Sequence, residues 1–283
     1  MSDRSEFTVL LSRQRSGTNA LRSVLRTHPE IYCFDEVFKL ATQRDVDLPA
    51  KFGNYFSFLE QYCAGDIRRM FPDRHADTFA AYLVHLRELT SKRRIVIDVK
   101  YNSTHHVTDV WREMAEPTLL PLLKSQGIGV LHLTRRNLLR CLISNVKAWR
   151  SHRYHIENGR PLPDVRLDLS GAWTLARLES WAAEDESIAR AFDGYGFYKR
   201  IDYADIFPDA SGTLDERALA DLAGWFAVPN AFTNRPTFTK LSSLPLDQTI
   251  ENFDEVRATL RGTRFEECLE DEPAYRAPCG ADR

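Results

Sequence analysis

Short, wholly apolar runs alternate with amphipathic stretches along this chain, and that rhythm limits its fold more than any other feature. Phe7-Thr8-Val9-Leu10-Leu11 is apolar at consecutive positions, the pattern of a strand covered on both faces. A polar, Gly-containing turn follows from Ser12 to Gly17. Leu21, Val24 and Leu25 then recur at helical spacing, and Pro29 closes the segment. Strand, tight loop and helix in that order begin a parallel α/β unit. Arg94–Val99 and Gly129–Thr134 read as two further core strands. After the second, Leu138, Leu139, Leu142, Ile143 and Val146 mark one apolar helix face. Tyr198–Tyr203 predicts a weaker strand at a sheet edge.

The intervening segments differ in character. Residues 43–93 predict a mainly helical insertion, with helices over Phe56–Cys63 and Phe79–Leu89. Residues 152–171 are rich in His, Gly, Pro and Asp and predict a long loop, the substrate loop if the chain binds one. Helices are expected over Ala172–Phe192, Leu214–Phe226 and Glu251–Leu260. Thr213 with Glu216 offers a capping box for the second of these. Residues 227–248 are expected to wrap the surface, and the tail 273–283 to be loose. No internal repeat or boundary divides the chain, so residues 1–283 read as a single domain.

Composition excludes some functions. Lys and Arg total 38 against 40 Asp and Glu, a net charge of −2 that does not favour bulk nucleic-acid binding. No run approaches the roughly 20 apolar residues of a membrane helix, and acidic residues surround the first apolar run. The expectation is a cytoplasmic protein with no integral membrane segment. Five cysteines, odd in number and widely spaced, suggest neither a disulfide framework nor a thiolate zinc cluster.

Two loops carry the chemistry. The first, Ser12-Arg13-Gln14-Arg15-Ser16-Gly17-Thr18-Asn19, joins a strand to a helix. Backbone N–H groups and the helix dipole there converge on an anion. Gly17 permits close backbone approach, Ser16, Thr18 and Asn19 add side-chain donors, and Arg15 adds a charged fork. The pattern is not GxxxxGK[ST], because one glycine is present and no Lys precedes Thr18. The alternative is a capped helix with solvated arginines. The second loop is Thr134-Arg135-Arg136-Asn137, at the exit of the third core strand. In a parallel sheet it shares the ligand-binding carboxyl edge with the first. Arg136 and Ser144, eight residues apart, could grip a second phosphate; Arg135 and Arg140 then read as structural.

At these two segments the sequence resembles the sulfotransferases that use 3'-phosphoadenosine 5'-phosphosulfate (PAPS). Arg15-Ser16-Gly17-Thr18 is similar to their 5'-phosphosulfate loop, where many members carry Lys-Ser-Gly-Thr. Arg136 and Ser144 keep the spacing of their 3'-phosphate motif. Leu133–Arg140 and Glu251–Val256 with Leu260–Thr263 resemble bacterial carbohydrate-type members, including the trehalose and nodulation-factor sulfotransferases. The Lys of the cytosolic small-molecule members, and their closing Arg-Lys-Gly, are absent here.

The resemblance implies an α/β fold with a P-loop-like parallel sheet flanked by helices and helical insertions. It implies PAPS as donor, 3',5'-ADP as product, no metal, and a hydroxylated small-molecule or glycan acceptor. It leaves a homodimer open. Arg15 would act as an electrostatic clamp, since Arg does not readily give up its proton. A hydroxyl acceptor needs a base; Glu36 is the first choice, with Asp35, His105 and His106 as alternatives. Lys100 is a candidate for the sulfuryl side of the pocket. Lys240, or Arg261, Gly262 and Thr263, would meet the 3'-phosphate end. Trp149, Tyr203 and Phe238 are available for adenine. Two other readings compete: a nucleotide-dependent phosphotransferase with Asp98 as its metal acid, and a non-enzymatic phosphate-binding domain.

Overall fold

The computed structural model describes residues 5–39, 53–106, 119–151, 165–209, 212–236 and 244–270. Five strands form one parallel sheet: β1 (Phe7–Ser12), β2 (Ile31–Glu36), β3 (Arg94–Lys100), β4 (Gly129–Thr134) and β5 (Tyr198–Asp202), in the order β2-β3-β1-β4-β5. The three strands expected from continuous apolar runs are adjacent in the centre, and β5 lies at an edge as its weaker pattern suggested. β2 was not anticipated. Its sequence, Ile-Tyr-Cys-Phe-Asp-Glu, mixes polar and apolar positions because it is the other edge and Tyr32 and Asp35 face solvent.

Successive residues of the central strands pack into different layers. Val9, Leu11, Ile95, Ile97, Val99 and Val130 face a cluster completed by α2 (Tyr55–Tyr62), α3 (His75–Glu88) and α4 (Leu119–Ser125). Leu10, Val96, Leu131 and Leu133 face the opposite layer, built from α1 (Thr18–Leu25), α7 (Tyr203–Ile206) and α8 (Glu216–Phe226). A third cluster joins α5 (Leu138–Ser151) to α6 (Gly171–Ala191), α9 (Leu246–Thr249) and α10 (Phe253–Leu260). The helical reading of 43–93 corresponds, among its described residues, to α2, two 3-10 turns and α3. Residues 152–164 of the expected substrate loop, and the tail 273–283, lie outside the described residues.

One local expectation is corrected. Thr213 does not cap α8; the helix begins later, and Asp215 accepts from the backbone N–H of Arg217 at 2.9 Å and Ala218 at 3.1 Å. Asp occupies the residue just before the first turn, where its carboxylate meets orphan donors and the positive dipole end.

Candidate active site

The first loop runs from the carboxyl end of β1 into α1. It turns through two left-handed residues, Arg15 at φ 69° and Gly17 at φ 93°. A non-Gly residue there is costly and persists where its surroundings hold it. At Gly17 a side chain is also excluded by packing: an added Cβ would lie 2.5 Å from the Tyr203 ring. Arg135 covers Tyr203, its guanidinium 4.5 Å from the ring centroid, and donates to the Arg15 carbonyl at 3.4 Å. Tyr203, 5% exposed, is therefore a wall of the loop and not an open face for adenine.

Gly17→Ala combines positive-φ strain with overpacking and is expected to lower stability by about 2–4 kcal/mol in urea unfolding. In a Tyr203→Ala background the same change should cost less, because the ring that clashes is gone.

The fold unites the two sequence motifs through Arg15, whose Nε donates to Ser144 Oγ on α5 at 3.0 Å. Ser16, Thr18 and Asn19 follow in the loop; Ser16 and Thr18 are buried, and Asn19 accepts from the Arg22 guanidinium. Arg136 is placed differently from Ser144's partner. Its backbone N–H donates to Asp202 Oδ2 at 2.9 Å, its Nε lies 3.3 Å from Asp202 Oδ1, and its Nη2 pairs with Asp205. Burial raises the Asp202 pKa, against the opposing pull of the Ala204 N–H and of Arg136.

Beneath the loop lies a charged layer. Lys100, 3% exposed at the end of β3, donates to Thr18 Oγ1 at 2.7 Å, to Ser12 Oγ at 3.3 Å and to both Asp98 oxygens at 2.6 and 2.9 Å. Asp98 is fully buried and also lies 3.2 Å from Arg22 Nη1, which pairs with Asp35 at 2.7 Å. Glu36, the last residue of β2, brings Oε1 to 4.0 Å from Lys100 Nζ with a third of its side chain exposed. The structure thus gathers Glu36, Lys100, Thr18 and Arg15 around one loop. Lys100 brings an ammonium from the neighbouring strand β3 against Thr18.

On the other side of the loop, Arg13 anchors α6. It pairs with Glu184 at 2.5 Å and Asp185 at 2.9 Å and donates to the Trp181 carbonyl at 2.6 Å. Burial raises the Asp185 pKa despite Arg13. Next to it, His132 on β4 is bonded through both ring nitrogens, to the Tyr101 hydroxyl and, at 2.7 Å, to the Tyr198 hydroxyl. Burial, with Arg200 and Arg13 adding, drives its pKa down to about 3 and keeps it neutral. None of Arg13, Arg22, Asp185 and Asp202 was singled out from sequence as a site residue. The one available signal was charge next to apolar strands, as at Asp98 and Lys100.

The remaining candidates divide. Gly262, at φ 70°, and Thr263 shape the turn after α10, where Thr263 Oγ1 donates to the Leu260 carbonyl at 2.7 Å and Glu266 accepts from the Gly262 N–H at 3.0 Å. Arg261 caps the same helix through its N–H to Arg257, at 3.1 Å. Asp35, exposed, is held by Arg22 and Arg26. His105 and His106 close a 3-10 turn after β3, with side chains outside the described residues. Lys240 and Phe238 lie outside the described residues as well.

Past Arg135 the carboxyl edge opens into a cleft of about 580 Å³, between the β4 exit, α6 and residues 264–270, with four arginines (Arg135, Arg136, Arg200, Arg264) and four carboxylates (Asp185, Glu186, Glu267, Glu270) in its walls. That volume is in the range of small-molecule sites, about 300–1,000 Å³.

No protein-family profile matches the chain, and no curated protein does. Among solved structures, the crystal structure of a sulfotransferase from Alicyclobacillus acidocaldarius aligns with a TM-score of 0.45 and 15% identity, over 94% of this chain and 96% of that chain. A likeness of that size leaves the activity to be argued from the residues of the site.

Proposed function

We propose that the protein is a sulfotransferase that moves the sulfuryl group of PAPS to a hydroxyl of a carbohydrate or other polyhydroxyl acceptor by in-line displacement. The observation that carries this reading is the bond from Arg15 to Ser144, which links the two segments that the sequence offers as anion-binding motifs. A donor with phosphate groups at both ends needs such a double anchor. The loop N–H groups, Arg15 and Lys100 suit the phosphosulfate end. The cleft beyond Arg135 has the size for the rest of a nucleotide, and Arg135 and Arg136 stand at its entrance from β4.

In this reading the acceptor oxygen forms its bond to sulfur as the bridging oxygen of the donor departs. Arg15 and the α1 N-terminus stabilise charge on that oxygen. Glu36 takes the acceptor's proton, and Lys100 holds Thr18 in one orientation. Gly262 and Thr263 contribute by shaping the turn that borders the cleft, and Lys240, His105 and His106 remain further candidates for contact. The phosphotransferase reading fares worse, because Asp98 is fully buried and already engaged by Lys100 and Arg22.

Calorimetry with 3',5'-ADP tests the proposal. Micromolar or tighter binding that persists in EDTA is expected; absence of binding at millimolar ligand would overturn it, and ATP binding that requires Mg²⁺ would favour the phosphotransferase. Arg136 must exchange Asp202 and Asp205 for a ligand if it reads the 3'-phosphate. Arg136→Ala should then weaken 3',5'-ADP by about 1.5–3 kcal/mol and leave adenosine 5'-phosphosulfate, which lacks that phosphate, little changed. Equal losses for both ligands would give Arg136 another role.

A further inference from the structure

A second cleft, of about 410 Å³, opens between α5 and α6 on the opposite side of the first loop. Three of the chain's five tryptophans line it: Trp149 on α5, and Trp173 and Trp181 on α6. Trp149 is 66% exposed and Trp173 42% exposed, so both keep broad indole faces in solvent. Large aromatic surface left open in a concave site marks a place where a ligand is stacked. We propose that this cleft is the acceptor subsite and that it takes a pyranose ring of a glycoside against Trp149 and Trp173.

One observation favours a sugar over a planar aryl ligand, and two more support a preformed site beside the reacting loop. The cleft wall carries charged and amide groups beside the indoles, including Arg177, Glu184 and Asn145. A sugar offers an apolar C–H face to an indole and a rim of hydroxyls to such groups. An aryl ring would leave many of them desolvated and unmatched. The floor is rigid: Arg13, 6% exposed, is wedged between the Tyr101 and Trp181 rings, 5.0 and 4.7 Å from their centroids. Its Nε is buried with no hydrogen-bond partner among the described residues. Finally, the cleft reaches the reacting loop. Gln14 and Asn145 in its wall are the chain neighbours of Arg15 and Ser144, and Asn102 stands two residues beyond Lys100. The cleft therefore borders the loop that carries Arg15.

This inference rests on the sulfotransferase reading for the direction of transfer, but the binding it asserts can be measured alone. Methyl glucoside, maltose and cellobiose, with 4-nitrophenol as the aryl control, would be titrated against the full chain while the indole N–H resonances are followed by NMR. In parallel, 3',5'-ADP would be titrated by calorimetry. At least one sugar should shift the Trp149 and Trp173 signals saturably. The Trp149→Ala/Trp173→Ala variant should lose roughly tenfold or more in sugar affinity, with 3',5'-ADP affinity unchanged. If 3',5'-ADP binds but no sugar moves the indoles, or the double variant binds sugar as well as the original, the subsite is wrong and the donor reading stands. If sugar binds as expected and 3',5'-ADP does not, the subsite stands and the donor reading falls. Binding of 4-nitrophenol in place of the sugars would overturn the assignment of ligand class.

Discussion

Glu36→Gln is expected to leave 3',5'-ADP binding essentially intact and to lower kcat by roughly 10²–10⁴, the usual worth of a general base. The substitution keeps size and most hydrogen-bonding capacity but cannot accept a proton. Donor binding should survive because Arg15, Ser144 and the loop backbone lie outside the change. Folding should survive too: Glu36 is partly exposed and only 4.0 Å from Lys100, a loose pair of small energetic weight. His105→Ala and His106→Ala are the controls. If either His is the base, its loss lowers kcat by that factor and Glu36→Gln does not. If Glu36 only positions the acceptor, KM rises and kcat holds. Initial-rate kinetics on the four proteins separate these cases, and a Glu36→Gln enzyme with unchanged kcat ends the assignment.

The central sheet was legible because β1, β3 and β4 are covered on both faces, which forces apolar residues at consecutive positions. The two edge strands were less so. β5 showed a weak pattern, and β2 showed none, because an edge strand has fewer apolar neighbours to satisfy and can carry Tyr32 and Asp35 toward solvent. The loop between β1 and α1 was legible through Gly17 and its polar neighbours, but the reason for the glycine was not. Sequence implied room for an anion; the structure adds the Tyr203 ring, which comes from residues nearly two hundred positions away. Separation in sequence also hid the contacts of Arg13 with Glu184 and Asp185, and of Arg136 with Asp202 and Asp205. Ion pairs between remote elements leave no local spacing to read. Trp149 was noticed as a candidate for adenine, whereas Trp173 and Trp181 lie in a segment read only as a helix. Only the packing of α5 against α6 shows the three to share a cleft.

The buried charges under the loop give the largest expected loss of stability. Asp98 is the anion between two cations, Lys100 and Arg22, and all three side chains are nearly or fully buried. Asp98→Asn keeps the shape and removes the charge. Arg22 retains Asp35, but Lys100 is left 4.0 Å from Glu36 as its nearest carboxylate. Stranding one partner of a buried pair costs about 3–5 kcal/mol, and urea unfolding of Asp98→Asn should show a loss in that range. Lys100→Met should also destabilise, by removing the cation that satisfies Asp98, Ser12 and Thr18. The double variant Asp98→Asn/Lys100→Met removes both charges at once. Its loss should fall short of the sum of the singles by about 1–3 kcal/mol, the coupling expected of residues in direct contact. This cycle also decides what Asp98 is for. A metal-binding acid of a phosphotransferase would give a variant of near-original stability that no longer binds ATP with Mg²⁺. A structural anion gives an unstable variant whose folded fraction still binds 3',5'-ADP. Lys100→Met, measured where it is folded, decides the place of Lys100: a small loss of 3',5'-ADP affinity leaves it as a support of the loop through Thr18, and a loss of about 1.5–3 kcal/mol, that of a charge-assisted hydrogen bond, moves it into contact with the donor's 5'-phosphate.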